Sequence, residues 1–360
     1  MIERVLAAVA AMLLIGAAPP PRIATVASGL DHPWSVAFLP DGRVLVTERS
    51  GRLRVIANGR LSPKPIAGVP AVYARSQGGL FDVLPHPRFA ENRLLYLSYA
   101  AGTPAANATR IARARLDGDR LANLEVIFET APKKSTPVHY GGRMAWLPDG
   151  TLVMTTGDGF DWREDAQRLG GLFGKIVRLR DDGTVPADNP FVGKAGARGE
   201  IWSLGHRNPQ GLAVDGATGT LYAHEHGPAG GDEVNVIRRG ANYGWPVATL
   251  GRDYSGAAVS PFKRYKGMVD GIVTWTPSIA PSGLAVYRGA MFPEWQGDLI
   301  LGALAHRHVR RIDLQDRKVV GQQRLVPELN ARIRDVRVAP DGALWLTIDE
   351  TNGRVLRVAR

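Results

Sequence analysis

WSVAFLPDGRVLVTE, Trp34 to Glu48, and MAWLPDGTLVMTTG, Met144 to Gly157, follow one pattern. In each, an apolar alternation runs into Leu-Pro-Asp-Gly and resumes on the far side. Asp-Gly between two runs of period two is a hairpin signal, because the glycine takes the left-handed backbone that reverses the chain. The turn or a near copy stands at Leu39–Gly42, Leu147–Gly150, Ala213–Gly216 (AVDG) and Ala339–Gly342 (APDG). The closing glycines lie 108, 66 and 126 residues apart, two, one and two units of roughly 55 to 65 residues. LPHPRF (Leu84–Phe89) before LLYLSY is a disguised copy in the first gap, and Pro281–Leu304 supplies one in the last. A repeating unit of that length made of hairpins is the mark of a propeller blade. Removing an 18-residue leader leaves 342 residues, or 57 for each of six blades. The expected fold is therefore all-β: a six-bladed β-propeller with four-stranded antiparallel blades, one domain over residues 22–360.

Composition agrees. Glycine accounts for 42 of 360 residues and proline for 25, punctuation that breaks helices and favours short strands. Helical periodicity is confined to a turn near Asp165–Gly170, and Gly251–Gly271 lacks alternation and reads as a long surface loop. There is no cysteine, which excludes disulfides, thiolate zinc sites and thiol catalysis. Met1–Arg4 carries a positive side chain, Val5–Ile15 is apolar, Gly16–Ala18 are small, and prolines follow. That sequence of features predicts a signal peptide over residues 1–18, too short to anchor, and a periplasmic product. The net charge of +11 is spread through strand-like segments without a nucleic-acid motif, so a soluble basic surface is expected rather than nucleic-acid binding.

A propeller gathers the loops of all its blades at one end, so distant residues can line one pocket. Several polar groups are candidates for such a rim. Gln77 in RSQGGL reads either as a turn residue or as a ligand contact. His139, ahead of Gly-Gly, and Asp158 in TTGDG stand at neighbouring blade edges, where a carboxylate could hold one imidazole nitrogen and free the other as a base. His32 and His86 precede prolines in turns and read as structural. GHRNPQG brings Arg207, a fixed cation with parallel donors, and Asn208. EHGPAGGDEVN (Glu225–Asn235) combines Gly227 and Pro228, whose carbonyls can face outward, with the acidic Asp232 and Glu233; such oxygens suit calcium. Arg332 and Arg334 share one strand face, either solvated or forming a clamp for a polyanion.

GGLFDVLPHPRF, HYGGRMAWLPDG, LGHRNPQGLAVD, EHGPAGGDEVN, NYGWP, APSGLAVY and IRDVRVAPDG, in this order, resemble the soluble aldose dehydrogenases of the glucose/sorbosone type. The likeness covers about Leu30 to Arg360. It implies a periplasmic quinoprotein that oxidises aldoses at C1 to lactones with pyrroloquinoline quinone (PQQ) over a calcium ion. His139 would be the general base while the C1 hydride passes to C5 of PQQ, and Asp158 would orient that imidazole. Gln77, Arg207 and Asn208 would contact the quinone, with Arg207 stabilising its negative charge. Gly227 and Pro228 would bind the cofactor calcium through their carbonyls, and Glu233 with the Tyr243 carbonyl would form a second calcium site. Arg332 and Arg334 would pair with PQQ carboxylates, and Ser278 would offer a nearby hydroxyl.

Two positions depart from the family pattern. Ala305 stands where some relatives carry a lysine, leaving one carboxylate contact without its usual donor. Val138 precedes the base where the glucose-preferring member has an acid, which points to broad aldose specificity. The implied partners are an aldose and an electron acceptor, with a monomeric or homodimeric protein and no integral membrane segment. A calcium-dependent propeller lactonase and a non-catalytic sugar-binding propeller are the alternatives; Arg332 and Arg334, suited to a tricarboxylate, count against the first, and the intact His139 with Asp158 counts against the second.

Overall fold

Three of the four Leu-Pro-Asp-Gly-type turns are built alike. The first residue donates to the carbonyl four residues on (Leu39 to Arg43, Leu147 to Thr151, Ala339 to Ala343, each 2.8 Å), and the glycine N–H returns to it. The aspartate Oδ1 accepts the backbone N–H two residues later, at 3.1 Å for Asp41, 2.9 Å for Asp149 and 3.0 Å for Asp341. Gly42, Gly150 and Gly342 have φ of 85°, 79° and 84°, left-handed backbone that a side chain would strain. The AVDG copy differs. There the connection runs from Asp215 to Thr220, and Gly219 (φ 70°) takes the left-handed position instead of Gly216.

A computed structural model describes residues 21–360, so the signal peptide expected over residues 1–18 lies outside the described residues. The described strands form six four-stranded antiparallel sheets, as the repeat predicts. Their innermost strands are Pro33–Phe38, Leu80–Pro85, Gly141–Trp146, Pro209–Val214, Pro281–Val286 and Ile333–Val338. Five blades are continuous in sequence. The sixth takes three strands from Ile333–Ala359 and its outermost strand, Arg22–Leu30, from the start of the domain. That pairing closes the ring, a feature the repeat spacing did not announce.

Period-two alternation lets each sheet bury both faces between neighbours. Each successive pair of blades encloses its own apolar cluster, exemplified by Leu97 and Leu53 between the first two and by Leu346 and Ile300 between the last two. Each fully buried leucine or isoleucine contributes about 1.5–3 kcal/mol of transfer free energy. These clusters fix the angles between blades and hence the spacing of groups at the axis. The Gly251–Gly271 stretch carries no strand, as expected, and helix is limited to single turns such as Phe89–Asn92 and Arg163–Gln167. Among the described residues, no helix is long and apolar enough to cross a membrane.

Candidate active site

Eight of the twelve sequence-predicted site residues occupy one of two equivalent places in a blade. One is the approach to an innermost strand: Gln77, His139, Arg207 and Asn208, and Arg332. The other is the exit from the antiparallel neighbour, where Asp158, Gly227 and Pro228 lie. Antiparallel pairing puts both places on the same rim, opposite the Leu-Pro-Asp-Gly turns. His139, Arg207, Gly227 and Arg334 are thus at one end of the molecule. His139 and Arg207 line one pocket and Arg334 an adjoining one, rather than the single pocket expected, and Gly227 lies between His226 of the one and Pro228 of the other.

The first pocket, about 560 Å³, is lined by Gln77, Asn208, Arg332 and Arg334. Trp34, Phe81 and Tyr140 supply an aromatic wall, with ring centroids 5.4 and 5.6 Å apart along the series. Arg334 Nη2 donates to Asp349 Oδ2 at 2.8 Å and Arg332 Nη2 to the same oxygen at 3.3 Å, while His32 Nδ1 lies 2.9 Å from Asp349 Oδ1. Burial works against the Asp349 carboxylate, but Arg334, His32 and Arg332 outweigh it and hold its pKa well below the usual range. Arg49 lines the same pocket, its Nη1 donating to the Ser76 carbonyl at 2.7 Å. Three guanidinium groups therefore face one carboxylate. Among the described residues, the buried Arg334 Nε has no hydrogen-bond partner. An aromatic wall with unmatched donors suits a flat polyanion.

The second pocket, about 290 Å³, contains His139, Asp158, Arg207 and Pro228. Gln77 joins it to the first, since its Oε1 accepts the His139 backbone N–H at 2.9 Å. His139 Nδ1 lies 2.7 Å from Asp158 Oδ1. A carboxylate only accepts, so this contact places the proton on Nδ1 and leaves Nε2 as the acceptor. Asp158 is fixed in turn by Trp245 Nε1 and by the Phe160 N–H, both at 2.8 Å. Burial pushes the imidazole below its ordinary pKa; Asp158 opposes this, and Arg207 and Lys134 add to it. Buried Lys134, itself pushed down to about 7 by burial, donates to the carbonyls of Thr136 and Val138 and anchors the loop before the base. His139 has φ 53°, a conformation costing on the order of 1 kcal/mol and held by these contacts. A Cβ on Gly157 would lie 2.2 Å from the His139 carbonyl oxygen, so only glycine admits this approach.

Arg207 is buried against Trp245 and donates to the carbonyls of His226 (3.1 Å) and Gly227 (2.8 Å). The Gly227 carbonyl, expected to face a cation, is thus met by a guanidinium. Asp232 is not available as a cation ligand. Its carboxylate accepts the Ser278 hydroxyl and the N–H groups of Gly227, Ile279 and Ala280, and it anchors the loop. Ser278, expected to offer a hydroxyl near the cofactor, donates it to Asp232, two residues from pocket-lining Ala280. Glu233 and Tyr243 do share an outer pocket, together with Asp270. Burial and the neighbouring Glu225 carboxylate push Glu233 well above the usual carboxylate range, with Asn235 as a partner at 2.8 Å. An acid in that state suits a cation.

Ala305 lines the axial pocket without charge, and Arg49 supplies a cation from the first blade instead. Sequence reasoning missed Arg49 and Asp349. Both immediately follow a second strand, the same place as Asp158, so the blade register was the signal that could have found them. Trp245 was visible only within NYGWP; its role comes from the long loop, which pairs with Leu204 and Gly205 and brings the indole to Asp158.

The sequence model for glucose/sorbosone dehydrogenases matches residues 30–357. The aldose sugar dehydrogenase YliI of Escherichia coli (strain K12) is 42% identical, over 92% of this chain and 90% of its own. The apo-form crystal structure of the soluble aldose sugar dehydrogenase from Escherichia coli superposes with a TM-score of 0.91 at 41% identity, covering 94% of this chain and 99% of that one. The PQQ-bound aldose sugar dehydrogenase of Streptomyces coelicolor gives 0.76 at 30% identity, covering 95% and 99%.

Proposed function

Since the chain belongs to the glucose/sorbosone dehydrogenase family, we propose that it is a PQQ- and calcium-dependent enzyme oxidising aldoses at C1 to lactones. The observation that carries this reading is the axial pocket, where three guanidinium groups face one carboxylate beside an aromatic wall and Arg334 Nε lacks a partner. PQQ is a flat tricarboxylate, and when bound it supplies the quinone that takes two electrons from the sugar, with calcium as Lewis acid.

The chain's own residues do the rest. His139 Nε2 accepts the proton of the anomeric hydroxyl, and Asp158 holds the tautomer that makes this possible. Gln77 fixes the backbone of the base. Arg332 and Arg334 bind carboxylates, while Asn208 lines the cavity beside them. Arg207 stabilises negative charge at the junction of the two pockets, and a calcium ion at Gly227 and Pro228 requires it to release the Gly227 carbonyl. Glu233 with the Tyr243 carbonyl holds a second, structural calcium. The leader over residues 1–18 directs the protein to the periplasm, which N-terminal sequencing of periplasmic extract would check.

The test is reconstitution with PQQ and calcium followed by dye reduction over a panel of aldoses. Turnover that requires PQQ is expected. No reduction with any aldose overturns the reading, and lactone hydrolysis without PQQ would favour the lactonase.

A further inference from the structure

The pocket around His139 opens to solvent between two exposed aromatic side chains that no step above uses. Phe160 is 44% exposed and Tyr254 64% exposed. They come from different blades, Phe160 from the loop after Leu152–Thr156 and Tyr254 from the long loop after Asp232–Ile237, yet they line one pocket. Phe160 sits edge-on to the His139 ring with centroids 5.2 Å apart, in left-handed backbone (φ 72°) fixed by its N–H on Asp158. Tyr254 receives Arg207 Nη2 on its hydroxyl at 3.3 Å. Exposed apolar surface beside a proton acceptor calls for a ligand with an apolar face. A pyranose ring has one, where its axial C–H bonds project. The volume of about 290 Å³ lies at the small end of ligand pockets, roughly 300 Å³ upward, and leaves room for one ring.

The outer wall carries Asp161, Glu164 and Asp253 against the single Arg163, which reaches Glu164 at 2.9 Å and Asp253 at 3.9 Å. Carboxylates accept sugar hydroxyls and repel a second carboxylate or a phosphate. This local excess of acid stands out in a chain whose net charge is +11.

We propose that Phe160 and Tyr254 form the seat for the sugar ring, and that the carboxylates around it restrict the substrate to uncharged aldoses. The inference rests on the proposed function for its substrate class but names residues of its own. Losing a seat used equally by the bound sugar and the transition state raises KM more than it lowers kcat. In the PQQ- and calcium-loaded enzyme, Phe160→Ala and Tyr254→Ala should each raise KM for glucose roughly tenfold, and Phe160→Tyr should restore it. Asp161→Asn with Asp253→Asn should raise kcat/KM for glucuronate relative to glucose about fivefold.

An independent readout uses methyl β-glucoside, which has no free anomeric hydroxyl to oxidise. Saturation-transfer NMR should show magnetisation reaching its ring C–H protons from the wild-type protein and not from Phe160→Ala. If the wild type turns over sugars while KM and transfer are unchanged in both alanine variants, the seat is wrong and the proposed function stands. If nothing is oxidised but transfer is present and lost in Phe160→Ala, the seat stands and the proposed function fails. An unchanged glucuronate-to-glucose ratio removes the charge restriction.

Discussion

Two levels of the propeller axis treat charge in opposite ways. Below the rim, Asp82, Arg143, Asp335 and Arg337 form a balanced set drawn from the second, third and sixth blades. Arg337 donates to Asp82 at 2.8 Å and Asp335 at 2.9 Å, and Arg143 Nη1 lies 2.9 Å from Asp335 as an ion contact. Burial brings Arg143 down to about 10, while Asp335 and Asp82 overcome burial and hold Arg337 above its ordinary value. One residue along the same strand, Arg334 belongs to the rim, where three guanidinium groups line a pocket that holds one carboxylate. Matched buried charge locks blades together; unmatched charge awaits a ligand. In the outer pocket Glu233 and Asp270 are matched in number by Lys263 and Arg264, yet Arg264 pairs with Asp270 and leaves Glu233 to Asn235.

The largest effect that would sharpen this contrast is chemical. His139→Ala should lower kcat by about 10²–10⁴-fold while PQQ still titrates the protein by absorbance. Retained turnover would remove His139 as the base.

Next come the arginines. Breaking the balanced set with Arg143→Met should cost about 3–5 kcal/mol of stability, because it leaves two buried carboxylates, Asp82 and Asp335, sharing Arg337 alone. Arg334→Met should cost less than about 1 kcal/mol, since it removes an excess charge, yet weaken PQQ roughly 10- to 100-fold through a lost charge-assisted bond. Urea melts and absorbance titrations decide this. Equal destabilisation by the two variants would dissolve the distinction between the levels.

The Glu233 pocket gives a smaller signal. Its folded-state pKa is raised, so its contribution to stability is full below the unfolded pKa and is lost as pH rises through the folded value. Calcium bound there would reverse that loss by holding the ionised form, and binding would release a proton. Calcium at a hundredfold its pH 8 Kd should therefore add about 2.7 kcal/mol at pH 8 and less at the same concentration at pH 6, and Glu233→Gln should abolish the increment. A calcium shift in Tm that persists in Glu233→Gln would move the site elsewhere.

The smallest effect is in the pH profile. With His139 as the proposed base its neutral form would be the active one, and its pKa is lowered, chiefly by burial. The rate should rise with pH and level off below the ordinary imidazole value of about 6.5. A rate that still climbs well above neutrality would contradict the buried, neutral base.

Much of the rim was legible because the motifs sit at blade edges. His139, Asp158 and Gln77 converge through bonds that residues 19 and 62 apart make only once the blades are in register. Nothing in TPSIA, the stretch that holds Ser278, tells that its hydroxyl donates to Asp232. The AVDG copy shows a similar limit: Thr218 and Thr220 stabilise a longer turn, so the tetrapeptide alone did not fix the connection.

The chain's local chemistry, read without coordinates, determined the hairpin turns, the blade count and the order of polar motifs. Those follow from short-range backbone preference and period-two burial. Which charges would find partners was decided only by the closed ring. Arg143 reaches the Arg334 carbonyl across 191 residues and Arg337 reaches Asp82 across 255, and such long-range pairing leaves no local trace. The same closure pairs Arg22–Leu30 with Gly353–Ala359 and gathers Arg49, Asp349 and Arg334 around one pocket, because electrostatic balance depends on distance in space and not along the chain.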